Sequence, residues 1–397
     1  MTEQSLILVV NPGSTSRKYA LFAGGDKLAS VNFEFVDNKV FCKVSYADGQ
    51  QSKDYDDADL SGVSRYVLPL LHEFKVINEN DNIDVIGIRL VAPSKIFAKD
   101  ELVTDEIELA LEAVEQRAPL HVKTVMQEVK HLRDYLVGTP IVIISDSAFH
   151  ASKPDYAWQY GIDLELAEKI DVKRYGYHGI SVGSVVRYLD DHKILSPKTL
   201  VCHLGGGCSI TALKNGKSID NTMGYTPLEG VMMASRSGNI DVSAALAIKR
   251  ELKLSDDDLE KYLNKQSGLL GVSGSSSDIR QLIASEEQGD DRARLALSLF
   301  VYRIQQAIGQ MAASLGGADC LIFTATVGER SSIIRSRILE KLDYLGFVYD
   351  QDVNNNTFEP TEAANIAVAS SKPVFVISTD EAAEIARRAE QYMVDHN

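Results

Sequence analysis

Cysteine is scarce in this 397-residue chain. Cys42, Cys202, Cys208 and Cys320 are the only four, and no two form a CxxC pair. Such spacing offers neither a zinc site nor a disulfide framework, so free thiols in a reducing cytoplasm are expected. Positive charge is short as well: 41 Lys and Arg against 56 Asp and Glu leave a formal net charge of −15. A general nucleic-acid or anionic-membrane binder needs a basic face, so neither partner is expected. An acidic chain can still gather a few Arg and Lys in one cleft around an anionic substrate. No window approaches the ~18 continuous apolar residues of a membrane helix. The opening apolar stretch carries no basic n-region and runs straight into the turn at Gly13, unlike a signal peptide; a cytoplasmic location is expected. Linkers, low-complexity segments and long charge runs are also missing.

What remains is a globular composition, 45% hydrophobic and 24% charged, long enough for two domains with separate cores. Residues 5–10 read as a strand, Asn11 to Ser16 as a turn and Lys18 to Phe22 as a second strand. Asp84 to Val91 and Pro140 to Ile144 are further strand-like runs, and Glu101 to Val114 has helical spacing. The second half opens in the same way. Thr199 to Leu204 ends in Gly205-Gly206-Gly207, and Ser209 to Leu213 resumes the alternation. Cys320 to Ala325 and Val374 to Ser378 read as buried strands. Helical patterns cover Leu254 to Lys265, Arg292 to Leu315, Ser331 to Leu345 and Glu381 to Val394. The two strand–glycine–strand openings point to two related α/β halves.

Several stretches have the residue types that phosphate chemistry needs. A phosphate calls for converging N–H and O–H donors and a cation. In Asn11-Pro12-Gly13-Ser14-Thr15-Ser16-Arg17-Lys18, Gly13 permits close backbone approach, three hydroxyls donate and Lys18 supplies charge. The same residues also make an ordinary hairpin turn, and the Walker A spacing is absent. His203-Leu204-Gly205-Gly206-Gly207 is either a ligand-touching turn or a plain tight turn. Arg236, flanked by Ser235, Ser237 and Gly238, suits an oxyanion or a solvated surface. Asp146, at the end of a strand, is placed for a cleft edge or for a helix N-cap. His178, between Gly176 and Gly179, is either functional or a satisfied core histidine.

Taken together and in order, these stretches resemble the acetate and propionate kinase family. The first loop is similar to its Asn-x-Gly-Ser-Ser-Ser-x-Lys signature. Thr222 to Met233, continuing through Arg236-Ser237-Gly238, resembles the second signature almost residue for residue. Ala118 to His121, Asp146 to His150, Tyr175 to Ser181 and Ser267 to Arg280 add to the likeness. The resemblance implies an α/β fold of two related actin-like ATPase (ASKHA, ribonuclease H-like) domains with an interdomain cleft. Residues 1–150 with a C-terminal helix at about 384–397 would form the first domain. Residues 151–383 would form the second, with the nucleotide site and a homodimer interface.

The implied activity is reversible Mg²⁺-dependent phosphoryl transfer (Mn²⁺ able to substitute) between ATP and acetate or propionate. By the same resemblance, Asn11 and Glu381 would hold Mg²⁺, and Ser14, Ser16 and Lys18 would line the phosphate channel. Arg89 and Arg236 would grip the substrate and the moving phosphoryl group. His178 would stabilise the transition state. Asp146 would be the catalytic acid, more useful orienting Mg²⁺-bound water or substrate than taking a proton. Val91, Leu120, Tyr177 and Pro227 would wall the acyl pocket. His203, Leu204, Gly205, Gly206, Gly207, Asp278, Ile279, Arg280, Thr326, Val327, Gly328, Glu329 and Arg330 would surround the nucleotide.

The chain departs from the family pattern chiefly at the donor site. The usual Phe-Thr-Gly-Gly-Ile-Gly-Glu-Asn is Phe323-Thr324-Ala325-Thr326-Val327-Gly328-Glu329-Arg330, where added Cβ atoms would crowd the nucleotide and Arg330 would add charge. Gly206 replaces an Asn, and Ala92-Pro93-Ser94 replaces His-Gly-Gly. ATP remains the expected donor. A different donor such as pyrophosphate, or a homologue that binds ligand without catalysis, is the alternative. A sugar kinase of the same fold fits less well, because the matched pocket positions are Val, Leu, Tyr and Pro.

Overall fold

The computed structural model describes residues 5–13, 16–57, 59–115 and 119–396, with residues 119–121 described by their backbone alone. The chain divides into two compact units, residues 1–149 with 380–397 and residues 150–379.

The first unit is an eight-stranded sheet. Its strands are β1 (Leu6–Pro12), β2 (Ser16–Ala23), β3 (Asp26–Val36), β4 (Lys39–Tyr46), β5 (Gly49–Tyr55), β6 (Val85–Leu90), β7 (Glu101–Leu102) and β8 (Ile141–Ser145), in the order β5-β4-β3-β2-β1-β6-β8-β7. The run β1 to β5 is antiparallel throughout, while β6 is parallel to β1 and β8 to β6. Alternation along each strand sorts the side chains to two faces. Leu8 and Val10, Tyr19 and Leu21, Ile86 and Ile88, and Ile141 and Ile143 share one core with Leu111 and Val114 of helix Asp105–Glu115 and with Val122, Val125, Val129 and Leu132 of helix Pro119–Tyr135. Each fully buried Leu, Ile or Val contributes roughly 1.5–3 kcal/mol. The opposite face carries the C-terminal helix Glu381–His396, which buries Ile385, Ala386 and Ala389. Gly87 on β6 lets that helix come close: a Cβ there would stand 2.9 Å from Ile385 Cγ2 and 3.0 Å from Ala389 Cβ.

The second unit repeats the plan. Its strands are β9 (Lys198–Leu204), β10 (Cys208–Lys214), β11 (Lys217–Asn221), β12 (Cys320–Thr324), β13 (Ala364–Asn365) and β14 (Val374–Val376), in the order β11-β10-β9-β12-β14-β13. The directions match β3-β2-β1-β6-β8-β7 strand for strand, with an antiparallel hairpin, two parallel neighbours and an antiparallel edge. Helix Asp291–Leu315, capped by the Asp290 carboxylate, lays Phe300, Ile304, Ile308 and Met311 over this core. Among the described residues no helix is long and apolar enough to cross a membrane.

Three expectations shift. Strands β3 to β5 were not expected. The helix expected from Glu101 starts at Asp105, where three acids occupy its first turn and complement the helix dipole, while Glu101–Leu102 pairs with β8 as an edge strand. The helix expected over 331–345 stops at Leu339, and a short turn, Asp343–Leu345, closes on Gly346 with φ 90°.

Candidate active site

In the first unit, one sheet face collects the polar residues. Period-two alternation places Ile7, Val9 and Asn11 on β1, Lys18 and Ala20 on β2, Val85, Gly87 and Arg89 on β6, and Val142 and Ile144 on β8 on the face opposite the Leu8–Val10 core. Asp146 follows in the same phase just past β8. Asn11 pairs with Lys18 across the hairpin, and Arg89 lies one residue beyond the Val10–Ile88 pairing. This is the face that the C-terminal helix covers, and Glu381 opens that helix.

Arg89 is the hub. Its Nη1 donates to Glu381 Oε2 at 2.8 Å and its Nη2 to Asp146 Oδ2 at 3.1 Å. Burial works against the Arg89 charge, but Asp146 and then Glu381 outweigh it and hold the guanidinium more firmly protonated than usual. The strand end is braced from behind, where Arg388 bonds both Asp100 and the Ser145 carbonyl. Asp146, 1% exposed, takes its backbone N–H to Leu90 O at 2.9 Å. Lys18 is exposed, Ser16 half-buried at the head of β2, and Val91 half-buried just after β6. Ser14 lies outside the described residues, and Leu120 is described only as backbone at the start of helix Pro119–Tyr135.

In the second unit, His178 stands at φ 61°, ψ 22°, before helix Gly179–Asp191. A left-handed non-glycine is a strained backbone of the kind that gathers at functional sites. Its Nδ1 is 3.0 Å from Ser209 Oγ, and its ring stacks on His203 with centroids 4.0 Å apart. His203 Nδ1 is in turn 2.8 Å from Ser181 Oγ. Both rings are therefore fixed in plane.

Gly207 closes the turn between β9 and β10. A Cβ there would lie 3.1 Å from His178 Nε2 and 3.4 Å from Arg236 Nη1, so only glycine leaves room for both tips. Gly205 N–H bonds Gly207 O at 3.0 Å, and the space beside Gly206 is open. Arg236 sits on a clasped segment, with Met233 N–H to Arg236 O at 3.1 Å, Ser237 N–H to Leu263 O at 2.9 Å and Nη1 3.4 Å from Pro227 O. Tyr177 is fully buried, and its hydroxyl donates to Tyr225 O at 2.6 Å. That commitment uses the one polar atom that distinguishes it from the phenylalanine of the family pattern.

The nucleotide candidates fall into distinct settings. Asp278 caps helix Ile279–Glu287 by accepting from Arg280 N–H at 2.8 Å. Its carboxyl is held below the usual range by the Arg280 side chain, 2.6 Å away. Ile279 is buried, while Arg280 is exposed. Thr326, Val327, Gly328, Glu329 and Arg330 form the short helix Ala325–Arg330, entered through Ala325 at φ 64°. Gly328 and Glu329 are buried and Thr326 is exposed. The charge brought by Arg330 is paired with Glu359, with Nε 2.7 Å from Oε1.

Three residues outside the expected set shape these sites. Arg335, fully buried, binds the carbonyls of Gly328 and Glu329. Arg17 donates to the Gly13 carbonyl and pairs with Glu128. A lone Arg or Glu in an otherwise amphipathic run gives no sequence signal of such burial.

The donor set fits a hard cation. Asn11, Asp146 and Glu381 offer amide and carboxylate oxygens. Among the described residues, no group of three or more His, Cys, Asp or Glu could hold a metal alone. Mg²⁺ takes one or two carboxylates and completes its shell with water and phosphate oxygens.

The Acetokinase family model matches residues 6–387. An acetate kinase of Clostridium botulinum (strain Okra / Type B1) is 38% identical over 402 residues, covering 98% of this chain and 99% of the relative. One from Bacillus cytotoxicus is 38% identical over 391 residues, covering 96% and 98%. The crystal structure of Porphyromonas gingivalis acetate kinase superposes with a TM-score of 0.88 at 32% identity, covering 98% of this chain and 100% of that one. A propionate kinase from Francisella tularensis gives 0.89 at 32% identity, covering 98% and 99%. Family model, relatives and solved structures all span nearly the whole length, and the chain belongs to the acetokinase family.

Proposed function

We propose that the chain is an acetate kinase, moving the γ-phosphoryl group of ATP to acetate, with propionate as the alternative acceptor, to give acetyl phosphate and ADP, reversibly. Membership of the family makes it a phosphotransferase with a carboxyl acceptor. The observation that carries the finer reading is the array on one sheet face, where Arg89 is fixed between Asp146 and Glu381 beside Asn11 and Lys18.

A carboxylate oxygen of acetate attacks the γ-phosphorus, the P–O bond to the β-phosphate breaks, and its electron pair stays on ADP. Acetate is already ionised near pH 7, so no base is needed, and the chemistry rests on positioning and charge. Arg89 and Arg236 neutralise the equatorial phosphoryl oxygens. His178, its ring fixed by Ser209 and His203, offers Nε2 to the same oxygens. Asn11 and Glu381, with Asp146 through water, would hold Mg²⁺, which supplies further charge neutralisation when bound with the nucleotide. Val91, Leu120, Tyr177 and Pro227 would form the apolar slot for the acyl methyl. The glycine turn 205–207, Asp278 to Arg280 and Thr326 to Arg330 receive the nucleotide. The exposed apolar face of helix Val242–Leu252 in the second unit supports a homodimer.

A hydroxamate assay with ATP, GTP or pyrophosphate against acetate, propionate or butyrate tests the reading. ATP with acetate or propionate is the expected best pair, and Arg236→Ala should lower kcat at least about a hundredfold, whereas Arg294→Ala on the surface should not. Turnover with pyrophosphate alone would replace the donor. Turnover with no pair would leave a ligand-binding homologue.

A further inference from the structure

Arg17 and Lys18 are neighbours on β2 and point to opposite faces of the sheet. Lys18 is exposed on the face with Arg89, whereas Arg17 is 7% exposed on the core face. There its Nη1 donates to the carbonyls of Gly13 and, at 3.2 Å, of Ser16. Its Nε lies 3.6 Å from Glu128 Oε2. Glu128, 2% exposed on helix Pro119–Tyr135, also accepts the Tyr19 hydroxyl at 2.5 Å.

The hairpin does not need this arginine in order to close, because Gly13 N–H already bonds Ser16 O at 2.9 Å. A buried ion pair is also a poor source of stability compared with apolar side chains of similar size. What the guanidinium adds is orientation and sign. Carbonyl oxygens repel a phosphate, and here two carbonyls of the turn are bound from the core side by a cation that is itself anchored to a helix.

We propose that Arg17, anchored by Glu128, is a positioning residue for phosphoryl transfer: it holds the Gly13 and Ser16 carbonyls on the core side and keeps them off the phosphate path. This role rests on the acetate kinase reading above, in which Ser16 and Lys18, on either side of Arg17, line the phosphate channel.

The test compares wild type, Arg17→Met, Arg17→Lys and the double variant Arg17→Met/Glu128→Gln in the full chain. The double variant removes both buried charges, while the amide carbonyl of the introduced glutamine can still accept from Tyr19. Thermal midpoints, acetate and ATP kinetics, and calorimetric Mg·ATP binding without acetate are measured for each. Arg17→Met should lower kcat/KM for ATP by about ten- to a hundredfold, as a misplacement of about 1 Å does, with KM for acetate changed less than about twofold. Arg17→Lys should recover part of the loss. The double variant should recover the thermal midpoint but not kcat/KM or ATP affinity, and that split separates positioning from stability. The proposal is overturned if a folded Arg17→Met keeps kcat/KM for ATP within about twofold, or if the double variant recovers both properties. If Arg17→Met does not fold, the double variant alone decides. A wild type inactive in every donor–acceptor pairing would instead sink the acetate kinase reading. Arg17 would then be judged by ATP affinity, and equal affinity in wild type and double variant would overturn the role.

Discussion

A left-handed backbone costs an L-residue with a Cβ about 1 kcal/mol or more, and glycine almost nothing. Ala325 adopts φ 64° at the entrance of helix Ala325–Arg330, where the family pattern has glycine. Its methyl also faces Gly205, because a Cβ built there would be 3.6 Å from Ala325 Cβ. Ala325→Gly should therefore raise the unfolding free energy by about 1 kcal/mol, read from the urea midpoint, and lower KM for the nucleotide donor. An unchanged midpoint would mean that the strain is relieved elsewhere. Lys153 poses a different residue-level problem. It is 5% exposed, its ammonium bonds the carbonyls of Arg174 and Tyr175 and lies over the Trp158 ring, and among the described residues no carboxylate bonds it. Burial pushes its pKa down to about 7, assisted by Arg174 and opposed by Asp220 and Glu229. The ordinary lysine value is near 10.4. Between the two values the unfolded chain holds more protons than the folded one, so stability must rise with pH across that window and stay flat below it. The stability of wild type minus that of Lys153→Met should thus grow by about 2 kcal/mol from pH 7 to pH 9, at a limiting slope near 1.4 kcal/mol per pH unit. A pH-independent difference would show that the lysine stays charged in the fold.

At the scale of elements, Arg335 is the pin of the donor loop. All its donors go to neutral oxygens: Gly328 O at 2.8 Å, Glu329 O at 3.0 Å, Asn354 Oδ1 and O at 2.8 and 2.9 Å, and Thr357 O at 2.8 Å. Burial lowers its pKa to about 10, which still leaves it charged near neutrality. Arg335→Leu would strand four buried carbonyls and should cost about 4 kcal/mol, with nucleotide affinity falling more than acetate affinity. A denaturant series with parallel ADP titration measures both, and a loss below about 1 kcal/mol would remove Arg335 from this role. Such a pin cannot be read from sequence, since Arg335 interrupts an apolar stripe of Ile334 and Ile338 without any marker of burial. The β1–β2 and β9–β10 hairpins are legible because apolar runs flank a glycine tip. Strands β3 to β5 are not, because they hold no motif, β5 is polar and mostly exposed, and the exposed Phe35, Val36 and Phe41 blur the alternation of β3 and β4. Arg89, Asp146 and Glu381 are legible one by one as cleft-edge or motif residues. Their meeting depends on parallel pairing and on a helix from the far end of the chain, and Tyr19 and Glu128 lie 109 positions apart. Local pattern carries neither kind of information.

At the scale of the whole molecule, one helix is left without a core. Val242–Leu252 is well capped, with the Asp241 carboxylate accepting from Ser243 and Ala244 N–H and Lys253 closing it in the left-handed region. Yet none of its described residues is buried. Val242 is 73% exposed and Leu246 40%. Eleven residues make a marginal helix in water unless an apolar face is packed, and Val242, Ala245 and Leu246 share such a face. Leu295 and Tyr302 on helix Asp291–Leu315 are exposed as well. A second copy of the chain is the occupant the homodimer reading supplies, since a self-complementary apolar patch is what a two-fold interface requires. Sedimentation equilibrium at micromolar concentration should give twice the 43.6 kDa chain mass. The paired change Val242→Asp with Leu246→Asp should return the single-chain mass, because two desolvated carboxylates oppose association by several kcal/mol. Far-UV circular dichroism on the same samples separates dissociation from unfolding: a monomer of native helicity supports the interface. A wild-type chain that sediments at the single mass would show that this helix is stable with its apolar face in water.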